Sequence, residues 1–97
     1  MESSKYQIVR SKYAGVFAGY ITKQDGQTVE MKDARRLWYW KGASSLSQLA
    51  MEGVKCPLEC KFPIAVDRVQ IFEVIEILDV TKIAEKSIRG VPVWEQG

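Results

Sequence analysis

Histidine is missing altogether from the 97 residues. Its absence removes the commonest general base, the commonest metal ligand and any Ser-His or Cys-His nucleophilic pair. Cysteine is nearly missing. Cys56 and Cys60 cannot build a disulfide framework and read as reduced thiols of a cytosolic protein. Their spacing is wrong for a zinc knuckle, and nothing nearby completes four ligands. No Gly-rich phosphate loop of the Walker or Rossmann type is present, so neither a metal nor a cofactor is expected. No apolar run approaches the ~18–20 residues of a membrane span. The opening Met1-Glu2-Ser3-Ser4-Lys5 lacks the apolar stretch of a secretory signal. An excess of one charge is missing too. Fourteen basic against twelve acidic residues leave +2, too little to drive strong non-specific DNA binding. Any nucleotide or nucleic-acid site must therefore be local. Glu73 and Glu76 should face opposite sides of a strand unless a bulge intervenes, so they read as solvated positions rather than an acid–base pair. These absences point away from an enzyme.

What remains is one domain, 1–97, with a normal soluble composition: 46% hydrophobic and 27% charged. A chain this short buries only about two-thirds of its unfolded surface. Its core is thin, and a homo-oligomer is expected. Residues 5–11 and 13–22 read as strands, the second with Gly15 and Gly19 on one face. Glycine inside a strand marks a bulge or a close approach. It either leaves room over the sheet for a flat ligand or packs against a neighbouring aromatic. Asp25-Gly26 signals a hairpin, and a strand restarts at Thr28. It runs to Met31, and another runs from Asp33 to Trp40, with a turn or bulge near Lys32-Asp33. Residues 43–52 predict a helix capped by Ser44 or Ser45 and stopped by Gly53. Asp67 to Val80 is a long β-like run whose period slips at Phe72–Glu73, where a bulge or bend is expected. Thr81 caps a second helix with Ile83, Ala84 and Ile88 inward. Arg89, at its end, favours the helix dipole. Val91-Pro92-Val93-Trp94 reads as a short edge strand. The expected fold is α+β: a mostly antiparallel sheet of five to six strands with two short helices.

The densest chemistry lies in Ala34-Arg35-Arg36-Leu37-Trp38-Tyr39-Trp40, followed by Lys41-Gly42-Ala43-Ser44-Ser45. Planar aromatic faces, guanidinium forks and a helix start together suit a base plus a phosphate. Period two puts Arg36, Trp38 and Trp40 on one face of a strand and Arg35, Leu37 and Tyr39 on the other. If Leu37 and Tyr39 face the core, an Arg-Trp-Trp row is left at the surface, the composition of an interface hot spot. If the tryptophans pack under the helices, Arg36 snorkels at the edge. The candidate ligand-binding residues are Arg35, Arg36, Trp38, Trp40, Lys41, Ser44 and Ser45. Trp38 or Trp40 would stack on a base, Arg35 or Arg36 would pair with phosphate, and Lys41 and the helix start would support it. Ser44 and Ser45 also have the plain reading of helix capping.

The chain resembles a domain-of-unknown-function family of small tailed-phage proteins. The resemblance runs through Tyr13–Gly19, Ala34–Trp40, Gly42–Ala50, Gly53-Val54, Cys60-Lys61-Phe62 and Val91–Trp94, with Cys56 outside the pattern. It implies a phage-encoded protein acting in the host bacterial cytoplasm, and carries no activity with it. By analogy with small phage proteins that sequester cyclic nucleotides, the expected function is non-catalytic. The protein would counter bacterial immunity by sequestering a nucleotide second messenger. The alternatives are a direct inhibitor of a host defence protein or nuclease complex, and a single-stranded nucleic-acid binding protein.

Overall fold

The computed structural model describes residues 5–95. Five strands come in the order β1 (Tyr6–Ser11), β2 (Gly15–Asp25), β3 (Thr28–Arg36), β4 (Val66–Ile71) and β5 (Val74–Asp79). Helix α1 (Leu46–Glu52) lies between β3 and β4, and α2 (Lys82–Gly90) follows β5. The strands form one sheet in the order β4-β3-β2-β1-β5, and every neighbouring pair is antiparallel. The protein is therefore an α+β domain with a five-stranded antiparallel sheet and two helices.

Strands β4 and β5 sit at opposite ends of that order, yet only Phe72 and Glu73 separate them. The run from Val66 to Asp79 leaves the β3 edge, turns a corner and joins β1, which curls the sheet into a partly closed barrel. The corner sits where the hydrophobic period slips. Glu73 adopts φ +55°, its carbonyl accepts from the Lys12 N–H at 2.9 Å, and the Val74 N–H donates to the Gln27 carbonyl at 2.9 Å. Ser11 Oγ donates to the Phe72 carbonyl at 2.6 Å and fixes the corner from β1.

Because side chains alternate along each strand, the curled sheet has two apolar faces. Val9, Phe17, Val29, Met31, Ala34, Ile71 and Val74 fill the inner one. Tyr6, Ile8, Ala18 and Leu37 face outward and are covered by Leu49 and Ala50 of α1, Ile88 of α2, and Phe62 and Val91 from the connecting segments. Both helices start at side-chain caps: Ser45 Oγ accepts from the Gln48 N–H, and Thr81 Oγ1 accepts from the Ala84 N–H. Thr81 Oγ1 also donates to the Met51 carbonyl at 2.8 Å, which ties the start of α2 to the end of α1.

Four expectations need correction. The strand expected over 33–40 ends at Arg36 and continues from Thr28, with a bulge at Asp33, φ +50°. Tyr39 beyond it makes only an isolated bridge to Lys61. The expected closing strand at 91–94 is a single parallel bridge between Phe62 and Val93. Ile83, expected inward, is 75% exposed, because only the Ala84–Ile88 stripe of α2 meets the sheet. The space beside Gly19 is not open to a ligand or filled by an aromatic. A Cβ there would lie 2.9 Å from Ala34 Cα and from the Asp33 carbonyl oxygen, so the β3 bulge occupies it.

Candidate functional site

Past β3 the chain is anchored by buried Leu37, whose N–H donates to the Val16 carbonyl at 2.8 Å. Tyr39 then pairs with Lys61 in both directions: the Lys61 N–H donates to the Tyr39 carbonyl at 2.7 Å, and the Tyr39 N–H to the Lys61 carbonyl at 3.4 Å. On the far side the Trp94 N–H donates to the Phe62 carbonyl at 3.0 Å. Three short extended pieces thus lie side by side. Leu37 and Phe62 are buried in the core below, while Trp38, Lys61 and Trp94 stand in solvent.

The result is a surface aromatic platform. The Trp38 and Trp94 rings stack with centroids 5.2 Å apart and planes 28° from parallel. The Lys61 ammonium lies 5.6, 5.8 and 5.7 Å from the ring centroids of Trp38, Tyr39 and Trp94. Such contacts contribute roughly 0.5–1 kcal/mol each at exposed sites. No carboxylate pairs with Lys61 among the described residues, so its charge is open to an anion. Trp38 is 59% exposed, Tyr39 47% and Trp94 40%, which is a large apolar area for a protein to leave in water.

The residues singled out in the sequence are not all brought to this platform. Trp38 is its centre. Trp40 turns down against the helix-side core and is half-buried. The period-two assignment therefore fails for the tryptophans: Trp38 is exposed, Trp40 packs inward, and Tyr39, which one of the two alternatives placed in the core, is at the surface. The strand ends at Arg36, so no sheet alternation governs residues 37–40.

Arg35 is 6% exposed, and three of its guanidinium N–H groups are bound internally. Nε donates to the Pro63 carbonyl, Nη1 to that of Ile88 and Nη2 to that of Phe62, each at 3.0 Å. Burial pushes its pKa down from the ordinary arginine value. This side chain fastens the 62–63 segment and the end of α2 to β3. Arg36 is exposed but lies elsewhere, beside the β4–β5 corner, where Nη1 donates to the Ala14 carbonyl at 2.6 Å and the guanidinium covers the Phe17 ring at 4.4 Å. Lys41 pairs with Glu59 at 3.0 Å, and that hydrogen bond raises its pKa.

Ser45 is the N-cap of α1. Ser44 uses both its N–H and its hydroxyl on Gln48 Oε1, at 2.8 Å each. The seven-residue helix α1 is capped by its own side chains. Ser45 takes the capping role, and Ser44 bonds the Gln48 side chain.

Lys61, Tyr39 and Trp94 belong to the platform and were not among the sequence candidates. Lys61 had a readable signal. It sits between buried Cys60 and buried Phe62, and alternation across that triplet turns the lysine outward. Both cysteines are free, and Cys60 Sγ is close to the Cys56 carbonyl at 3.4 Å. Among the described residues no three His, Cys, Asp or Glu side chains gather as metal ligands, and no helix is long and apolar enough to cross a membrane.

Residues 4–88 match the family model of a domain of unknown function, DUF6948. The chain belongs to that family. Searches of curated proteins and of solved structures give no match.

Proposed function

We propose that this member of the DUF6948 family is a non-catalytic binding protein that holds a nucleotide-type ligand on the Trp38–Trp94 platform. The observation that carries the reading is the exposed, stacked tryptophan pair with the Lys61 ammonium beside it, which meets no carboxylate among the described residues. A base stacks on an aromatic face for about 1–3 kcal/mol, and a cation at the rim pairs with phosphate. Lys61 takes the phosphate-pairing role first given to Arg35 and Arg36, whose guanidiniums lie elsewhere. The phage resemblance supplies the setting. A phage-encoded copy in the host bacterial cytoplasm would sequester a nucleotide second messenger and so blunt immunity. Exposed Tyr13, Phe72 and Ile75 near the β4–β5 corner support association into a homo-oligomer.

The test is a titration of mono-, di- and cyclic nucleotides followed by tryptophan fluorescence, on wild type and on Trp38→Ala and Lys61→Ala. Stacking predicts saturable quenching by at least one nucleotide, weakened roughly 5- to 150-fold in Trp38→Ala. If no nucleotide binds, or Trp38→Ala binds as wild type does, the reading is wrong.

A second reading has its own support. Three exposed aromatics around a lysine also make a protein-binding hot spot, as an inhibitor of a host defence protein or nuclease would present. One stoichiometric host protein retained through Trp38, with no nucleotide response, would move the assignment there. Single-stranded nucleic-acid binding finds less support in a net charge of +2.

A further inference from the structure

A concavity of about 280 Å³ opens beside the segment that carries Val91 and Val93. Its polar groups come from three elements: Tyr6 of β1, Asp33 and Arg35 of β3, and Arg89 of α2. Ile64, Val91 and Val93 form apolar walls.

The polar groups have capacity left over. Tyr6 is only 3% exposed, and its ring packs edge-on against Tyr20 at 5.2 Å. No fully enclosed side-chain nitrogen or oxygen lacks a hydrogen-bond partner among the described residues. The Tyr6 hydroxyl has no such partner among them, and Tyr6 lines this cleft. Arg35 spends three of its five N–H groups on carbonyls and meets no carboxylate among the described residues. Arg89 uses Nη1 alone, on Asp33 at 2.7 Å and on the Tyr20 hydroxyl at 3.1 Å, which leaves Nε and Nη2. Glu85 is held by the Tyr20 hydroxyl at 2.8 Å and does not line the cleft.

Charge fixes the class of guest. Two guanidiniums against the Asp33 carboxylate leave one net positive charge. A single negative charge balances it, whereas a dianion would overshoot and meet the Asp33 carboxylate. The volume lies just below the usual range of small-molecule sites, about 300–1,000 Å³, so the cleft holds one compact group rather than a large ligand.

We infer that this cleft binds a singly charged oxyanion, a carboxylate or a phosphodiester, borne on a small ligand whose apolar part lies against Ile64, Val91 and Val93. It uses residues separate from the tryptophan platform and stands whether or not a nucleotide binds there.

The test follows the methyl NMR signals of Ile64, Val91 and Val93 in the full chain. The probes are butyrate, diethyl phosphate, neutral butyramide and dianionic inorganic phosphate. The expected result is saturable binding of butyrate or diethyl phosphate, with the responding probe identifying the group. Butyramide should not bind, and inorganic phosphate should bind more weakly. Arg89→Gln should lower the affinity roughly tenfold or more, the loss expected for a charged hydrogen bond. Arg89 also holds Asp33, so Tyr6→Phe is the cleaner variant. It removes a hydroxyl with no partner among the described residues, keeps the ring, and should weaken binding several-fold at unchanged Tm. The inference is overturned if neither monoanion saturates, if butyramide or the dianion binds as well, or if Tyr6→Phe and Arg89→Gln both bind like wild type.

Discussion

Replacing Gly19 by alanine tests how the β3 bulge is accommodated. Ala18 pairs with Arg35 and Tyr20 with Lys32, so Asp33 and Ala34 together face the single residue Gly19. A Cβ at Gly19 would approach Ala34 Cα and the Asp33 oxygen at 2.9 Å and the Lys32 oxygen at 3.0 Å. All three are backbone atoms, so no side chain can swing aside and the bulge itself must move. Overpacking of this kind costs about 1–3 kcal/mol. Gly19 is not at positive φ, so alanine also gains about 0.4–1 kcal/mol from the narrower unfolded chain. At the middle of each range the net loss is about 1.3 kcal/mol, a fall in Tm of roughly 5–10 °C for a domain of this length. Thermal melts by circular dichroism measure it. Gly90→Ala is the control: nothing lies within 4 Å of its Cβ, φ is not positive, and alanine should be neutral or slightly stabilising. A Gly19→Ala protein that melts at or above wild type would refute the close-approach argument. Because the bulge carries Asp33 to Arg89, the same variant should also disturb the oxyanion cleft.

Arg35→Lys should destabilise by about 1.5–3 kcal/mol in urea unfolding, because one ammonium cannot span carbonyls from Phe62, Pro63 and Ile88. Thr81→Ala removes a helix cap and the bond to Met51, and should cost about 1–2 kcal/mol in the same assay. Burial first, with Asp33 adding, holds the Tyr6 pKa above the ordinary 10.0, and burial and the bond to Glu85 raise Tyr20 as well. A raised folded-state pKa means stability is complete below pH 10 and falls as pH rises through the folded value. Tm should therefore drop with increasing pH above about 10, less steeply in Tyr6→Phe. A flat Tm across that window would contradict the burial of the phenol.

Much of the fold can be read along the chain because its signals are local. The Asp25-Gly26 hairpin, the Ser45 and Thr81 caps, the Gly53 stop and the slipped period at Phe72–Glu73 each act within a few residues of themselves. Residues 33–40 defeat the same reasoning because their environment is non-local. Period two assumes a continuing strand, and the chain leaves the sheet after Arg36, to be held instead by Lys61. Arg35 looks like a free phosphate ligand in sequence. Only the folded chain brings the carbonyls of Pro63 and Ile88, 28 and 53 residues away, onto its guanidinium. Trp94 joins Trp38 across 56 residues by the same tertiary route. The tryptophans mark an aromatic surface in the sequence, and only the fold reveals which two form it.

The most direct measurement of the central claim is the ¹⁵N–¹H spectrum of the three tryptophan indoles during a nucleotide titration. Each indole N–H gives its own signal, assigned by single Trp→Phe substitutions. Stacking on the platform predicts that the Trp38 and Trp94 signals shift together and saturate with one nucleotide, while half-buried Trp40 stays in place. Three unmoved signals across mono-, di- and cyclic nucleotides, or a shift confined to Trp40, would contradict it.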